Sequence, residues 1–535
     1  APRQKHRVSV TYGNNVIKSR AMLSYTKEDA LYDGRSEEEF NGRINNDIMI
    51  NRFLAASVDM QFLHTTYRNT SYNPIQAAYK YGQNRAALWS NGTIAEGHIG
   101  SNSWARLHYG GFDNSWRDVF NAKVSLTLTP FKKFSIQAVF APSIRDKKSK
   151  TFINQVPYYN VDNAIIPAGY VSGCETNNLT EGRTDSMNLT KQLVANYALD
   201  LDSHHFTFMA GYEDHYAFSE SLSAASDHMD LADYPYLSRG NLEYKTNTGN
   251  ASENAYMSFF GRLTYDFKGR YLFQANARYD GSSRFHKDYR WGFFPSASFG
   301  WVLSQEPFFK SLDLSAVNFL KFRASYGSLG NEKIGNYPYQ AIMDLGHVAM
   351  HYGTGLESAM TAAQTSYNIL DITWETTRTW NVGADATLLH NRLTFSGDYF
   401  RKETDNMLLA LEIPDLIGYG NPDQNAGKMH TRGWEVQIGW NDRVGNFIYA
   451  LSAHLSDYKS VMGNLSGIVF DGANIIKEGS EYNEWYGYKS AGLFQIMDDI
   501  TSSALLYPNV KPGDIKYVDI SGPDGVPDGK ISPEY

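Results

Sequence analysis

Acidic residues near the end of the sequence carry the clearest metal-binding chemistry. Asp524, Asp528 and Gly529 stand at the first, fifth and sixth places of an EF-type loop, whose carboxylate oxygens bind calcium. Val526 at the third place breaks that pattern, and clusters of Asp, Gly and Pro also form tight turns without an ion. Asp524 and Asp528 are therefore candidate Ca²⁺ ligands within residues 519–534, although a metal-free turn is the favoured interpretation. No other cofactor is predicted.

A second group of candidate residues is aromatic and lies in stretches that predict loops. Trp and Tyr rings stack on sugar faces or line peptide grooves, and neighbouring Asn and Asp residues orient a ligand by hydrogen bonds. The alternative role for each ring is packing within a loop or contact with a partner protein. The candidate substrate-binding residues are Trp89, Trp104, Trp116, Tyr337, Tyr339 and Trp485.

Signatures of catalysis are missing from the sequence. It contains no His-Glu-x-x-His, Gly-x-Ser-x-Gly, Gly-x-Gly-x-x-Gly or Walker motif. His204 and His205 are adjacent, but they stand in a predicted tight turn, where solvated side chains are favoured over metal ligands. Carboxylate pairs for glycosidase chemistry are defined by a separation in space, which a sequence does not supply. We therefore do not expect this chain to be an enzyme.

The composition excludes several classes of protein. Of the 535 residues, 42% are hydrophobic and 20% charged, which is typical of a folded chain and not of a disordered or fibrous one. The formal charge of -8, without a long basic run, argues against a nucleic-acid partner. The aromatic share of 14% is typical of proteins with interfaces, including membrane interfaces, where a ring contacts an apolar region and its polar atom contacts water. No stretch is long and apolar enough for a membrane helix.

The elements that position the candidate residues are strands with two different faces. Residues 270–280 alternate Tyr, Phe and Ala on one face with Gln, Asn, Arg and Asp on the other. Many such runs extend over about nine residues or more, the length that crosses a bilayer at a tilt, so a membrane barrel is favoured over a soluble sandwich. A propeller is disfavoured because no repeat of about 40 residues is evident. The same alternation recurs at residues 7–12, 124–129, 320–326, 380–388 and 434–440.

Short and long connections alternate along the chain, as they do in outer-membrane barrels. Pairing each short turn with its two strands predicts eight hairpins, hence about sixteen strands of an all-β, transmembrane, antiparallel up-and-down β-barrel. The turn between Phe40 and Thr66 cannot be placed from the sequence. The short turns are predicted at residues 13–15, 130–133, 200–203, 267–269, 390–391 and 441–445, and the long connections at about 68–116, 144–184, 219–254, 331–373, 405–431 and from 461 onward.

Ordered motifs in the second half of the sequence resemble those of one family. In chain order, the motifs are Asp280-Gly281-Ser282-Ser283-Arg284-Phe285, Trp374-Glu375 and Pro512-Gly513-Asp514. With them the sequence resembles the SusC/RagA family of TonB-dependent outer-membrane transporters of the Bacteroidota, and the motif residues are expected to be structural. The resemblance runs from residue 280 to 519, whereas residues 1–254 match only in general strand texture.

The resemblance implies an outer-membrane barrel of 22 strands that is occluded by an N-terminal plug. About sixteen of those strands are expected in residues 1–535 as a partial barrel, with the plug outside this chain and an extracellular loop region expected over residues 462–535. The family imports oligomeric nutrients: a SusD-like lipoprotein closes the outer mouth, and the TonB complex pulls on the plug. An oligosaccharide is favoured over an oligopeptide as the substrate, and membrane lipid surrounds the barrel.

Two alternative functions remain open at this point. A passive porin would use similar strands without a plug, and a soluble glycan-binding or glycan-cleaving β-protein would not need detergent. The sequence also departs from the family pattern in two places. Ile369 stands where the family has Pro before the Trp-Glu pair, and the Asp-rich run after Asp519 is longer than the usual one.

Overall fold

The computed structural model describes the chain except for residues 83, 313, 353–354, 365–366, 411–414, 466–468, 472, 521, 523–525 and 533–535. Strands make up most of the described residues. No helix in this part of the chain is both long and apolar enough to cross a membrane.

The strands follow one another along the chain with few helices between them. The helices are α1 (Pro74–Lys80), α2 (Ser103–Tyr109), α3 (Pro307–Lys310) and α4 (Met497–Thr501), with 3₁₀ turns at Leu237–Arg239, Leu242–Tyr244, Leu303–Gln305 and Asp415–Ile417. The strands are β1 (Arg3–Gly13), β2 (Ile17–Asp29), β3 (Ser36–Met49), β4 (Leu54–Arg68), β5 (Gly111–Phe131), β6 (Phe134–Ile153), β7 (Pro157–Tyr158), β8 (Gly169–Tyr170), β9 (Asn178–Leu201), β10 (His204–Ser226), β11 (Lys245–Phe267), β12 (Tyr271–Ser282), β13 (Trp291–Val302), β14 (Val317–Asn331), β15 (Asp344–Tyr352), β16 (Gly355–Ala363), β17 (Glu375–Leu388), β18 (Leu393–Ala410), β19 (Asp423–Val444), β20 (Phe447–Leu465), β21 (Val469–Asp471), β22 (Asn474–Ile476), β23 (Glu484–Trp485), β24 (Ser490–Leu493) and β25 (Ile515–Tyr517).

One large antiparallel sheet of 16 strands contains all the long strands described, and it confirms the predicted strand number and the all-β fold class. Neighbours in this sheet are also neighbours in the chain, apart from short strands inserted into connections. The order is β1, β2, β3, β4, β5, β6, β9, β10, β11, β12, β13, β14, β17, β18, β19, β20.

Five of the six short turns lie at or within two residues of their predicted positions, the turn predicted at 441–445 lies at 445–446 because the ladder between β19 and β20 continues to Val444, and a further short turn joins β3 to β4. In that turn the backbone N–H groups of Ile50 and Asn51 both donate to the carbonyl of Leu54. The Asn51 side chain accepts from the N–H of Phe53 at 2.8 Å, which closes an Asx-type turn. In the sequence, the only sign of this turn is one Asn between two apolar runs, and a single Asn is too weak a signal to place a turn.

The sequence predicts His204 and His205 within a tight turn, but the structure places both residues in a strand. Both residues begin β10, because the ladder between β9 and β10 extends as far as the pair Leu201 and His204. The His204 Nδ1 atom lies 2.9 Å from the hydroxyl of Tyr265. The His205 Nδ1 atom lies 2.9 Å from a carboxylate oxygen of Asp200. The two imidazoles therefore point to opposite faces of the sheet.

Several strands extend well into stretches that the sequence analysis assigned to long loops. β9 has 24 residues and β10 has 23, so residues 178–184 and 219–226 are paired strand and not loop. The ladder continues there, but both faces carry polar side chains. The period-two contrast that predicts a half-apolar strand is therefore lost in these segments.

The chain divides into two compact units. Unit 1 comprises Ala1–Lys268, Leu272–Pro295 and Gly335–Tyr337, and unit 2 comprises Gly269–Tyr271, Ser296–Ile334 and Pro338–Tyr535. Within unit 1 the sheet has an apolar face and a polar face. Directly opposed residues share a face, so Val58, Val124 and Phe140 lie on the apolar face.

Unit 2 has the same two faces. Phe322 pairs with Ala384, and Ile438 pairs with Phe395, on the apolar face. The side chain of Ile438 is 44% exposed, so this face is uncovered by the chain itself. The polar face of unit 2 carries the paired charges of β14, β17 and β18 that are described below.

Candidate functional site

The polar face of unit 1 holds a connected set of hydrogen bonds centred on Arg278. Its guanidinium donates to both carboxylate oxygens of Asp280 at 2.7 and 2.9 Å, and to the hydroxyl of Ser258 at 2.7 Å. It also lies 3.3 Å from Glu213, which in turn accepts from Gln192. Ser258 and Glu213 are buried. Because the donors and acceptors satisfy one another, this group stabilises the polar face rather than offering an open binding site.

The polar face of unit 2 has a similar centre at Arg323. The guanidinium binds Asp385 at 2.7 and 3.0 Å and Asp398 at 2.9 and 3.0 Å. Ser396 donates to Asp385 at 2.8 Å and completes the group. The four residues come from three neighbouring strands, and the alternating pattern of each strand brings them to one face. Lys321 lies directly opposite Asp385 on the same face, so two cations stand beside the two carboxylates.

Two loops of unit 1, residues 69–110 and 154–177, fold together into what we call the loop module. Its buried centre consists of Ala105, Val156, Val171 and Cys174. Asn102 is fully buried and caps α2, where its Oδ1 accepts from the N–H of Ala105 at 3.0 Å. Sequence reasoning missed this role, although Asn102-Ser103 ahead of a short helix is a recognisable capping signal.

A cleft of about 290 Å³ opens in the loop module. The Tyr72 hydroxyl lies 3.1 Å from the hydroxyl of Ser103, and the Arg106 guanidinium lies 4.3 Å from the centre of the Tyr72 ring. Such a mixture of rings, amides and hydroxyls suits sugar hydroxyls or peptide amides. The lining residues are Tyr72, Asn73, Gln76, Ala77, Lys80, Tyr81, His98, Ser101 and Ser103.

Replacing Gly97 by Ala is expected to open the loop module. Gly97 has a φ of +77°, and an added Cβ would meet the Ser101 carbonyl oxygen and the Tyr81 hydroxyl at 2.5 Å. Backbone strain plus this overlap should lower the local stability of the module by about 2–4 kcal/mol. The measurement is the rate of limited proteolysis within residues 69–110 of the folded membrane protein.

Gly92→Ala is the matched control for that substitution. Gly92 has a φ of +83°, but an added Cβ would have nothing within 4 Å. The control should therefore show the backbone cost alone, about 1–2 kcal/mol. Equal proteolysis rates for the two variants would mean that the close packing around Gly97 does not hold the module together.

Two titratable groups in the loops of unit 1 are shifted by their surroundings. Burial raises the pKa of the Cys174 thiol more than the charge of Arg106 lowers it, so this thiol is a weak nucleophile at neutral pH. Burial also acts to raise the pKa of Asp227, but hydrogen bonds from Thr176 and from the N–H of His228 hold it below its usual value. Asp227 is therefore a structural carboxylate that ties one loop to another.

The predicted aromatic ligands do not form one described cluster. In the loop module, Trp89 donates from Nε1 to the carbonyl of Tyr159 at 2.6 Å, and Trp104 packs against the buried centre. Trp104 also stacks on His108 with ring centres 4.3 Å apart. Both Trp residues thus stabilise loops, in agreement with the packing alternative, and a substrate contact stays a prediction for each.

The other aromatic candidates lie elsewhere. Trp116 was predicted to be a loop residue but lies inside β5, where it pairs with Thr66 on the apolar face, because the strand begins at Gly111. Tyr337 belongs to unit 1, and Tyr339 and Trp485 belong to unit 2. Trp485 is 83% exposed in the short strand β23, so of these rings it is the most available to a ligand or a partner.

The motif residues 280–285 organise the end of β12 and the turn after it. Phe285 is fully buried and Ser282 nearly so. The Ser283 hydroxyl accepts from the N–H of Ala255 at 2.9 Å, and the Ser282 hydroxyl accepts from the N–H of Arg284 at 3.2 Å. The Trp291 ring covers the place where a side chain at Gly281 would lie, 2.9 Å from its Cβ position. These contacts hold the turn after β12 against the sheet, and the structural role of the motif stays a prediction.

The remaining motif residues also make local contacts. Trp374 is buried, and Glu375 accepts from Asn331 at 3.1 Å and from the N–H of Leu408 at 3.2 Å. Pro512 and Gly513 form the centre of a turn that the N–H of Asp514 closes onto the carbonyl of Lys511 at 3.1 Å. Gly513 has a φ of +98°, as the third residue of a type II turn requires.

Glu306 forms a second buried ionic group in unit 2, outside the strands. It is 4% exposed and accepts from Arg270 at 2.9 Å and from the indole N–H of Trp301 at 3.0 Å. Hydrogen bonds from Tyr271 and Trp301, together with the charge of Arg270, lower the pKa of the Glu306 carboxyl. The group anchors the short connection between β13 and β14 to the sheet.

The calcium hypothesis for residues 519–534 stays a prediction. Asp524 lies outside the described residues, and the Asp528 carboxylate accepts from the N–H of Lys530 at 3.0 Å. Asp519 accepts from the N–H of Gly529 at 2.7 Å. Within the described residues, no group of three or more His, Cys, Asp or Glu side chains is arranged to hold a metal ion.

Comparison with known proteins assigns the fold to a family. Residues 45–502 match the family model described as "TonB dependent receptor-like, beta-barrel", and this range is most of the chain. The chain belongs to this family. The predicted SusC/RagA resemblance, the β-barrel fold class and the outer-membrane localisation of this TonB-dependent receptor barrel are thereby confirmed, and the family is one of receptors and transporters.

Named relatives of this TonB-dependent receptor barrel agree with the family. It is 29% identical to TonB-dependent receptor P39 of Formosa agariphila over 506 residues, 92% of this chain and 46% of P39. It is 30% identical to TonB-dependent receptor SusC of Bacteroides thetaiotaomicron over 283 residues, 52% of this chain and 28% of SusC. The chain thus spans about half the length, or less, of these relatives.

The solved structures that it resembles include the RagAB peptide importer. In its "open-open" state that structure matches with a TM-score of 0.78 at 18% sequence identity, covering 99% of this chain and 56% of the other. A second RagAB structure, described as a peptide transporter, matches with a TM-score of 0.76 at 19% identity, covering 92% and 55%. At these identities the likeness establishes the fold and not the ligand.

Proposed function

We propose that the protein containing this chain is a TonB-dependent importer that carries oligomeric nutrients across the outer membrane. The match to the TonB-dependent receptor family over residues 45–502 is the observation that carries the proposal. The chain itself supplies strands, paired charges and a loop cleft. Coupling to TonB requires a plug, and this we also propose from the family.

We infer an oligosaccharide as the substrate class, with an oligopeptide as the second candidate. The cleft in the loop module combines Tyr72 and Tyr81 with the amides of Asn73 and Gln76, a set that stacks on sugar rings and binds hydroxyl groups. The likeness in fold to a peptide importer favours the second candidate. A passive porin, which would admit solutes by diffusion, is the alternative to TonB-dependent import.

A SusD-like lipoprotein is the proposed partner at the extracellular mouth. Apolar side chains that are exposed in the long loops of unit 1 support such a contact, because a partner protein would cover them. These side chains include Tyr79, Ile99, Ile165 and Leu242. The partner would enclose the substrate between itself and the plug.

Uptake by whole cells tests the proposal. Cells that express the full-length protein are given fluorescent oligosaccharides or oligopeptides of matched size, in the presence and absence of functional TonB. We expect oligosaccharide uptake that falls to background without TonB. Uptake that persists without TonB would overturn active import and favour a passive porin. TonB-dependent uptake of peptides alone would overturn the oligosaccharide as the substrate class.

A further inference from the structure

A row of three cationic side chains crosses unit 2 on the apolar face. Arg401 of β18 is directly opposite Arg432 of β19, and Arg432 is directly opposite Lys459 of β20. Opposed residues share a face, and the neighbouring positions on that face are occupied by Tyr399 and Trp434. The row therefore belongs to the apolar face and not to the polar one.

Like charges in directly opposed positions destabilise a sheet, because their backbones are only about 5 Å apart. Local carboxylates neutralise part of the row. Arg401 pairs with Glu403 at 2.6 Å and Lys459 pairs with Glu481 at 2.7 Å. Arg432 is exposed and forms no ion pair with a carboxylate in the part of the chain that the structure describes. Asp457 also lies on this face, directly opposite Trp434, but the described residues place no carboxylate within ion-pair distance of Arg432, so the central guanidinium of the row has no direct partner.

The position of the row relative to the aromatic side chains indicates its depth. Tyr399 and Trp434 lie one step nearer the apolar belt, and Trp380 lies in the row itself, directly opposite Arg401. The Trp380 ring packs at a tilt against Tyr326, with ring centres 4.5 Å apart. Trp and Tyr concentrate at the level of the lipid headgroups, and the apolar belt continues below them with Val436 and Ile438. The cations are therefore at headgroup level.

We propose that Arg401, Arg432 and Lys459 form a binding site for the phosphate of an outer-leaflet lipid headgroup. Since the protein is an outer-membrane barrel, lipid covers this face, and a phosphate would offset the repulsion along the row. Two Arg forks and one Lys offer the donors that phosphate oxygens accept. The indole of Trp380 would lie against the headgroup region beside them.

Native mass spectrometry of the full-length protein in nanodiscs tests the proposal. The nanodiscs contain phosphatidylcholine with a small fraction of lipid A, supplied either with its phosphates or enzymatically dephosphorylated. The double variant Arg432→Gln with Lys459→Gln should retain about ten- to thirtyfold less of the phosphorylated lipid A than the wild type. Retention of the dephosphorylated lipid should not change.

The matched control removes the same charge from the other face. Lys321 and Lys402 lie on the polar face of unit 2, so Lys321→Gln with Lys402→Gln should leave lipid retention unchanged. Arg432→Lys should retain most of the lipid, because it keeps the charge. The heat-dependent gel shift of each variant confirms that it is folded.

Three results would overturn the proposal. The first is unchanged retention in the apolar-face double variant. The second is an equal loss in the polar-face control, which would indicate a general charge effect. The third is displacement of the retained lipid by inorganic phosphate at millimolar concentration, which would indicate a free-anion site instead of a headgroup site.

Discussion

Ile438→Arg is expected to destabilise the folded barrel by about 2–4 kcal/mol, the cost of a cation on a lipid-facing strand position. Ile438 lies on the apolar face of β19, between Phe395 and Ala453 on the neighbouring strands, and its side chain has no polar partner there. The guanidinium would have to reach the membrane surface or remain in hydrocarbon. Unfolding of the full-length protein by urea in lipid vesicles measures the loss.

Gln437→Arg is the control for that prediction, since the next residue along β19 faces the other way. Gln437 is opposite Ser396 and His454 on the polar face and is exposed. The extra charge there should change the free energy of unfolding by less than about 0.5 kcal/mol. A loss for Gln437→Arg as large as that for Ile438→Arg would mean that the two faces are assigned to the wrong environments.

Arg323→Ala is expected to cost about 2–3 kcal/mol, because it removes the guanidinium that bridges Asp385 and Asp398, although Lys321 remains directly opposite Asp385. Removing one partner of a fully buried ion pair costs about 3–5 kcal/mol. The expected cost is below that range here because the three side chains are partly exposed. The Arg323 side chain is 31% exposed, and those of the two carboxylates are 30% and 19% exposed. Urea unfolding in vesicles again gives the measurement.

Two further variants define the cause of that loss. Arg323→Lys keeps the charge but not the two-pronged geometry, so its stability should lie between the wild type and Arg323→Ala. Arg392→Ala removes a guanidinium that is 54% exposed and makes one contact of 3.2 Å with Asp442. It should cost less than about 1 kcal/mol. If Arg323→Ala were no worse than Arg392→Ala, the polar-face group would not contribute measurably to stability.

Local sequence signals predict the strands where one face is apolar and fail where both faces are polar. Residues 270–280 alternate cleanly, and β12 is found there as Tyr271–Ser282. Residues 178–184 and 219–226 are equally regular strand, but charged residues such as Glu181, Arg183 and Glu220 interrupt the apolar side chains on their outward face, so the period of two disappears. Turns with Gly, Pro or paired Asn are visible in the sequence, and the turn at Ile50 and Asn51 is not.

The sequence by itself determined the alternating strands, the short turns, the sixteen-strand count and the family, because these depend on neighbours along the chain. Only the tertiary structure decided which charges meet. Arg323 and Asp398 are 75 residues apart in the chain, and Arg432 lies next to Arg401 through strand register alone. Register is set by pairing between strands, which no single strand encodes. The loop module likewise depends on tertiary structure, because two loops separated by β5 and β6 bury a common centre.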